Sequence, residues 1–241
     1  TRIKHNSKLK RSPGHSWFFP KKTYDDLLNT TKIEKTKCLS IVVSNKTMTK
    51  GHRNRLLFCL KLKKRLGNRV DLFGRGFKEF DDKWDMIAPY KYSVAIENSI
   101  EDHWITEKLT DCFASHTYPF YVGAPNAKDY YNSNSFAVID IEDFEKSVTT
   151  ILNILDDPKH YEKHLKFVKD SKIRYLNKHS VIPMVCNFIN ERLDNLDNKT
   201  KSSLLKIFPE NRGYLHTNKM IKKVKRYLRY FFYKILYLLK L

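Results

Sequence analysis

Between residues 38 and 155, short apolar segments alternate with segments of helical periodicity. Five runs have the β-branched and aromatic content of buried strands: Cys38–Val43, Val70–Gly74, Tyr92–Ile96, Tyr118–Gly123 and Phe136–Ile141. Three others space their apolar residues as helices do: His52–Leu66, Ile105–Ser115 and Glu142–Leu155. This alternation predicts an α/β fold, a Rossmann-like parallel sheet with helices on both faces. Ligands of such sheets bind beyond the carboxyl ends of the strands.

The remaining residues flank this core. We expect residues 1–37 to be an entry segment or the remnant of an N-terminal domain, with a short helix near Tyr24–Leu28. Residues 38–158 would form the Rossmann-like domain, and residues 159–216 a helical extension of it. Residues 217–241 are predicted to form a basic amphipathic tail.

The chain is strongly basic, with a formal net charge of +20. Its partners are therefore expected to be anionic: a nucleotide diphosphate, a nucleic acid or an acidic membrane surface. The excess of basic over acidic residues is unevenly distributed along the chain, because residues 219–241 contain no acidic residue at all. That favours a folded core with a basic tail over a nucleic-acid-binding protein, which stays an alternative and would keep binding DNA or RNA without the tail.

The tail and the cysteines bear on location. The tail carries an apolar helical stripe but too many lysines for a membrane span, so we expect it to lie on an anionic membrane surface. Docking on the protein's own core is the alternative. The four cysteines form no close pair and no metal-like spacing, which predicts buried, reduced thiols. The expected location is cytoplasmic, peripheral at the inner membrane face.

The strongest candidate for chemistry is a strand that ends in polar residues and is followed by a helix start. Glu97 and Asn98 close the strand, and Thr106, Glu107 and Lys108 open the helix. A helix start offers free N–H groups and a partial positive charge, and Lys108 adds a full cation. The arrangement suits a diphosphate, although ordinary helix capping would produce the same pattern.

Three further constellations follow strands. Ser44 and Asn45 end the first strand, and Arg53 enters the next helix, where it could clamp phosphate oxygens or belong to a solvated basic face. Gly74 and Gly76 permit close backbone approach, and the segment Tyr121–Asn126 could form another wall of the same cleft. The acidic residues beside Lys83 are interpreted as a solvated helix face: Asp81, Asp82 and Asp85.

In this order, the motifs resemble the signature of the family-10 α-1,3-fucosyltransferases. The segment Tyr90–Ser99, Thr106-Glu107-Lys108 and Tyr118–Gly123 carry the resemblance, which covers about Cys38 to Leu155. It implies the C-terminal half of a glycosyltransferase B fold, in which residues 38–158 bind GDP-fucose. The implied activity is inverting transfer of fucose to a glycan acceptor, in bacterial surface polysaccharide synthesis. A non-catalytic GDP-sugar-binding module, or a fragment without the acceptor domain, is the alternative.

The resemblance also implies site residues. The donor-binding set is Arg53, Asn98, Trp104, Glu107 and Lys108, together with Ser44, Asn45 and Glu97. No metal is obligatory, and a divalent cation would at most stimulate. The catalytic base has no assigned residue here and is expected in an N-terminal domain that this chain lacks. The hypothesis requires Arg53, Asn98 and Lys108 to share one cavity.

Overall fold

The computed structural model describes residues 15–194, with side chains described through residue 191. Its strands are β1 Lys37–Val42, β2 Val70–Phe73, β3 Tyr90–Ile96, β4 Tyr118–Val122 and β5 Ala137–Val138. Its helices are α1 Tyr24–Asn29, α2 Lys50–Leu66, α3 Lys83–Ile87, α4 Glu107–Ala114, α5 Phe144–Asp156, α6 His160–Arg174 and α7 Val181–Asp194. All strand pairs are parallel, in the spatial order β2-β1-β3-β4-β5.

Helices cover both faces of this sheet. Right-handed crossovers that leave β1 toward β2 and β3 toward β4 run in opposite directions, so they place α2 and α4 on opposite faces. On one face α5 packs against α2, with Phe58 and Phe144 edge to face at 5.5 Å between ring centroids. On the other, α6 packs against α4. Because both faces are covered, every residue of β4 is buried. The predicted α/β fold is confirmed.

The first long helix shows how local sequence sets element ends. Thr49 caps α2, because its hydroxyl accepts a hydrogen bond from the His52 N–H at 3.1 Å. The helix therefore starts two residues before the predicted His52. It ends at Gly67, whose φ of 56° lies in the region that only glycine adopts freely.

The fifth strand is much shorter than the predicted Phe136–Ile141. Only Ala137 and Val138 pair with β4 as a strand. A 3₁₀ turn over Ser133–Ser135 precedes them, and Asp140 turns the chain afterwards by accepting a hydrogen bond from the Glu142 N–H at 2.8 Å. The 3₁₀ turn before the strand and the Asp140 hydrogen bond after it both interrupt the ladder, so the apolar run is longer than the strand.

The entry segment packs on the core. Phe19 is buried edge to face against Trp84, and the Phe18 N–H donates to the carboxylate of Asp111 at 3.1 Å. The cysteine prediction is half wrong, because Cys59 and Cys112 are buried whereas Cys38 and Cys186 are exposed. Cys38 lies at the start of β1 and Cys186 lies on α7, and neither belongs to the hydrophobic core.

The predicted tail, residues 217–241, lies outside the described residues, as does the last part of the helical extension. Within residues 15–194, no helix combines the length and apolar character that crossing a bilayer requires.

Candidate functional site

A cavity of about 400 Å³ opens at the carboxyl edge of the sheet. Strand ends and helix starts form it: the loop after β1, the turn after β2, the polar end of β3 and the first turn of α4. Its polar and charged lining comprises Ser44, Lys46, His52, Arg55, Arg75, Lys83, Asn98, Glu107 and Lys108. Five of these side chains are Lys or Arg and one is acidic, so the cavity favours an anion.

Half of the predicted residues line this cavity. Ser44, Asn98, Glu107 and Lys108 do. Asn45, Arg53, Glu97 and Trp104 are not among its lining residues. Trp104 is 48% exposed, and the Asn45 side chain lies against Gly76.

Arg53 was predicted to line the cavity, but the structure places Arg55 there instead. The Arg53 side chain is exposed and donates to the Thr47 carbonyl at 3.0 Å. Two residues correspond to about 200° of helix rotation, so Arg53 and Arg55 point to opposite sides of α2. The required meeting of Arg53, Asn98 and Lys108 in one cavity therefore does not occur, and Arg55 meets Asn98 instead.

Arg55 is fixed and incompletely satisfied. It is only 7% exposed, and its Nη1 donates to the Asn98 side-chain oxygen. Its Nε is buried without a hydrogen-bond partner among residues 15–191. Buried N–H groups are rarely left unpaired.

The approach of α2 to the β3 loop depends on Gly51. A Cβ at this position would lie 2.0 Å from the Asn98 carbonyl oxygen, which no side chain can tolerate. Glycine thus lets the helix start reach the loop, and Arg55 reaches Asn98 because of it. Gly74 works similarly at β2, where φ is 126° and a Cβ would meet the Val43 carbonyl oxygen at 2.0 Å.

Glu97 acts from behind the cavity wall. Its buried carboxylate accepts from the Thr106 N–H at 2.8 Å and from the Thr106 hydroxyl at 2.7 Å. It also pairs with the Lys108 ammonium at 3.2 Å. Glu97 therefore anchors the first turn of α4 to the end of β3 and positions Lys108, whereas we expected direct ligand contact.

Glu107 is held as an anion at the cavity. Burial alone would raise its pKa, but attraction from Lys108 and Lys83 and hydrogen bonds from Lys108 and Thr106 outweigh burial and lower the pKa to about 2. A permanently ionised carboxylate can accept hydrogen bonds from hydroxyl groups but cannot donate a proton near neutral pH.

Lys83 is a second residue that sequence reasoning missed. The acidic stretch around it was interpreted as a solvated face, yet Asp82 is buried as the N-cap of α3. The Lys83 ammonium is buried and pairs with the fully buried Asp111 carboxylate at 2.8 Å. Burial lowers its pKa, but the attraction of Asp111 and Glu107 prevails and raises it. Lys83 therefore remains a cation at the cavity.

The segment Tyr121–Asn126, predicted to form another wall of the cleft, lies at a different cavity. Gly123 and Pro125 line a different cavity of about 330 Å³, so they are not a wall of the cationic one. No group of three or more potential metal ligands occurs within the described part of the chain.

Comparisons with known proteins point to one family. Residues 32–207 match the model of glycosyltransferase family 10 (fucosyltransferase), C-terminal part. An α-(1,3)-fucosyltransferase of Helicobacter pylori is 28% identical over 107 residues, 36% of this chain and 22% of that protein. The GDP-fucose protein O-fucosyltransferase 3 of Homo sapiens is 29% identical over 115 residues, 45% of this chain and 22% of that protein.

A solved α1,3-fucosyltransferase structure shares the fold, with a TM-score of 0.50 and 24% identity over 67% of this chain and 46% of that one. The chain thus matches less than a quarter of each curated relative and about half of the solved structure. Because the family model covers well over half of its residues, the chain belongs to glycosyltransferase family 10, the fucosyltransferases, and carries the C-terminal part of that family's fold.

Proposed function

We propose that this chain is the donor-binding half of a fucosyltransferase, which holds GDP-fucose and supports inverting transfer of fucose to a glycan acceptor. The observation that carries the proposal is the convergence of Arg55, Lys83 and Lys108 on one cavity at the start of α4. Arg55 is only 7% exposed and is held there by its hydrogen bond to Asn98. Three carboxylates, those of Glu97, Glu107 and Asp111, offset part of the charge of the five Lys and Arg side chains, so a positive excess remains for a pyrophosphate to bind.

In the proposed reaction, an acceptor hydroxyl oxygen attacks the anomeric carbon while the bond to GDP breaks on the opposite face. The hydroxyl proton passes to a carboxylate base that we do not assign to a residue of this chain. Charge builds on the departing diphosphate, so fixed cations stabilise the transition state more than the ground state. Arg55, Lys83 and Lys108 supply that charge, and we propose that no metal is obligatory. Ionised Glu107 would accept hydrogen bonds from sugar or ribose hydroxyls.

Replacing Lys108 with Ala tests the site. A charge-assisted hydrogen bond contributes about 1.5–3 kcal/mol, so Lys108→Ala should weaken GDP binding roughly 10- to 150-fold. Isothermal titration of the full chain with GDP measures this directly.

Lys64→Ala is the matched control, because Lys64 is an exposed lysine in the last turn of α2, away from the cavity. Its GDP affinity should equal that of the unaltered chain. Equal affinity in both variants would show that GDP does not bind at Lys108.

Catalytic competence needs a separate measurement. We propose a bacterial surface polysaccharide as the acceptor, and the alternative is a module that binds the GDP-sugar without turnover. Both bind GDP, so titration cannot separate them. Release of GDP from GDP-fucose, measured with and without added glycan acceptor, does: acceptor-dependent release identifies the enzyme, and binding without release identifies the module.

We further propose that the protein is cytoplasmic and associates with the inner membrane face through residues 219–241. The support is the sequence of that segment, where lysines and arginines flank an apolar stripe. Deleting residues 219–241 should release the protein from vesicles that contain anionic lipid, measured by co-sedimentation. Neutral vesicles are the control, and equal binding to anionic vesicles with and without the segment would contradict the anchor.

A further inference from the structure

The side of α2 that faces away from the sheet combines leucines with cations. Six exposed residues fall within about 100° of the helix circumference, because each residue turns the helix by about 100°. They are Lys50, Arg53, Leu57, Leu60, Lys61 and Lys64. The buried positions of α2 lie on the opposite side of the helix. We call these six residues the outer α2 face.

Two leucines lie in the middle of this face. Leu57 is 57% exposed and Leu60 is 39% exposed. They are three residues apart and so are neighbours on the helix surface. The other leucines of the helix pack in the core or against it, so the helix does not need this pair for folding. Because an apolar side chain gains free energy when it leaves water, the pair favours a partner with an apolar layer.

The cations around the leucines carry an uncompensated charge. None of the four forms a salt bridge among residues 15–191, and α2 contains no Asp or Glu. Arg53 donates to a backbone carbonyl, and the Lys61 ammonium lies 5.9 Å from the centre of the Phe144 ring. Glu145 of the neighbouring α5 pairs with Arg65, which lies outside the face, at 3.6 Å. The outer α2 face therefore favours an anionic partner.

The rest of the chain does not supply such a partner. Residues 1–14 contain five Lys or Arg and no acidic residue, and residues 195–241 contain twelve Lys or Arg and two acidic residues. Both segments have the same sign of charge as the outer α2 face. A second copy of the chain that presented the same face would also be repelled. The charge thus argues for a partner from outside the chain.

An anionic lipid bilayer matches both properties of the face. Its headgroups attract the lysines and arginine, and its acyl boundary takes up the leucines. A nucleic acid would satisfy the cations but would offer Leu57 and Leu60 no apolar layer. We infer that the outer α2 face docks on an anionic lipid surface. The inference does not rest on the GDP site, and it concerns the folded core rather than the proposed tail anchor.

One pair of substitutions removes the leucines and keeps every charge. Leu57→Gln with Leu60→Gln retains good helix formers at two exposed positions, so α2 should still form. The matched control is Ile173→Gln with Ile182→Gln. These isoleucines are 43% and 72% exposed, and they belong to α6 and α7.

A second pair removes charge and keeps the leucines. Lys61→Gln with Lys64→Gln lowers the charge of the outer α2 face by two. Lys166→Gln with Lys178→Gln is the matched control, since both lysines are exposed, one on α6 and one in the turn after it. The control changes the net charge of the chain equally, so it separates a local contact from general attraction.

The test is co-sedimentation of the full chain with phosphatidylcholine vesicles, with and without phosphatidylglycerol. We expect the unaltered chain and both control variants to bind the phosphatidylglycerol vesicles nearly equally. Binding should fall roughly tenfold or more in each α2 variant, because a leucine pair or two interfacial charges are lost. Isothermal titration with GDP should give one affinity for all five proteins, which shows that the helix start is intact.

Three results would overturn the inference. One is that the unaltered chain does not bind phosphatidylglycerol vesicles. Another is that the control variants lose as much binding as the α2 variants, since attraction would then depend on net charge alone. The third is that the leucine variant binds as well as the unaltered chain while the lysine variant does not, which would identify a surface for a nucleic acid or an acidic protein.

Discussion

Replacing Arg55 with Ala should weaken GDP binding roughly 10- to 150-fold, whereas replacing Arg53 with Ala should leave it unchanged. The range follows from about 1.5–3 kcal/mol for charged hydrogen bonds. Arg55 is buried at the cavity with an unpaired Nε, and Arg53 is exposed outside it. The two substitutions are chemically identical and two residues apart on one helix. Isothermal titration of both variants with GDP therefore shows which of the two side chains faces the nucleotide.

Arg55→Lys separates charge from geometry. Lysine keeps the positive charge but lacks the planar fork that reaches Asn98 and a phosphate oxygen together, so we expect an affinity between those of Arg55→Ala and the unaltered chain. Thermal unfolding of each variant shows whether the helix start is intact. A larger loss in Arg53→Ala than in Arg55→Ala would mean that the nucleotide lies on the outer side of α2.

The helical pattern of α2 already contains the information that distinguishes these two arginines. The buried positions of α2 are Arg55, Phe58, Cys59, Leu62 and Leu66. Their spacing of three and four residues is that of the inward face of a helix. Arg55 continues this face toward the start of the helix, where the ligand edge of the sheet lies. The motif comparison assigned the diphosphate contact to Arg53 because it did not apply that periodicity.

Lys83 could not be identified in the same way. It stands among acidic residues in a short helix, and that pattern ordinarily indicates a solvated face. Its burial depends on Asp111, which is 28 residues away and projects from α4. A contact between two elements leaves no periodic trace in either of them. By contrast, local patterns predicted the five strands and their parallel pairing, because strands that alternate with helices require it.

Charged residues at strand ends illustrate a further limit. Sequence placed Glu97, Asn98, Glu107 and Lys108 at one strand–helix junction, and the structure has all four there. The sequence does not indicate which of these four side chains face the ligand. Glu97 points inward to hold Thr106, and that orientation depends on the backbone of the loop after β3. A motif can be found in the sequence, but assigning a role to each of its residues requires the structure.

The largest stability effect is expected from Lys83→Met, which should lower the free energy of unfolding by about 3–5 kcal/mol, because it leaves a buried carboxylate without its counter-ion. Asp111 is fully buried, and among residues 15–191 its other hydrogen-bond donor is the Phe18 N–H. Urea unfolding at neutral pH measures the difference. Lys91→Met is the control, since it breaks the exposed Lys91–Glu162 pair at 3.1 Å and should cost less than about 1 kcal/mol.

The same variant makes a prediction about pH. Burial already raises the pKa of Asp111 with Lys83 present, and removing Lys83 removes the attraction that lowers it, so the pKa rises further and the folded variant binds a proton more readily than the unfolded chain does. The destabilisation of Lys83→Met should then be smaller at pH 5 than at pH 8. Adding Asp111→Asn removes the uncompensated charge, so the double variant should be more stable than Lys83→Met and lose that pH dependence. A double variant no more stable than Lys83→Met would show that packing, rather than the buried charge, accounts for the loss.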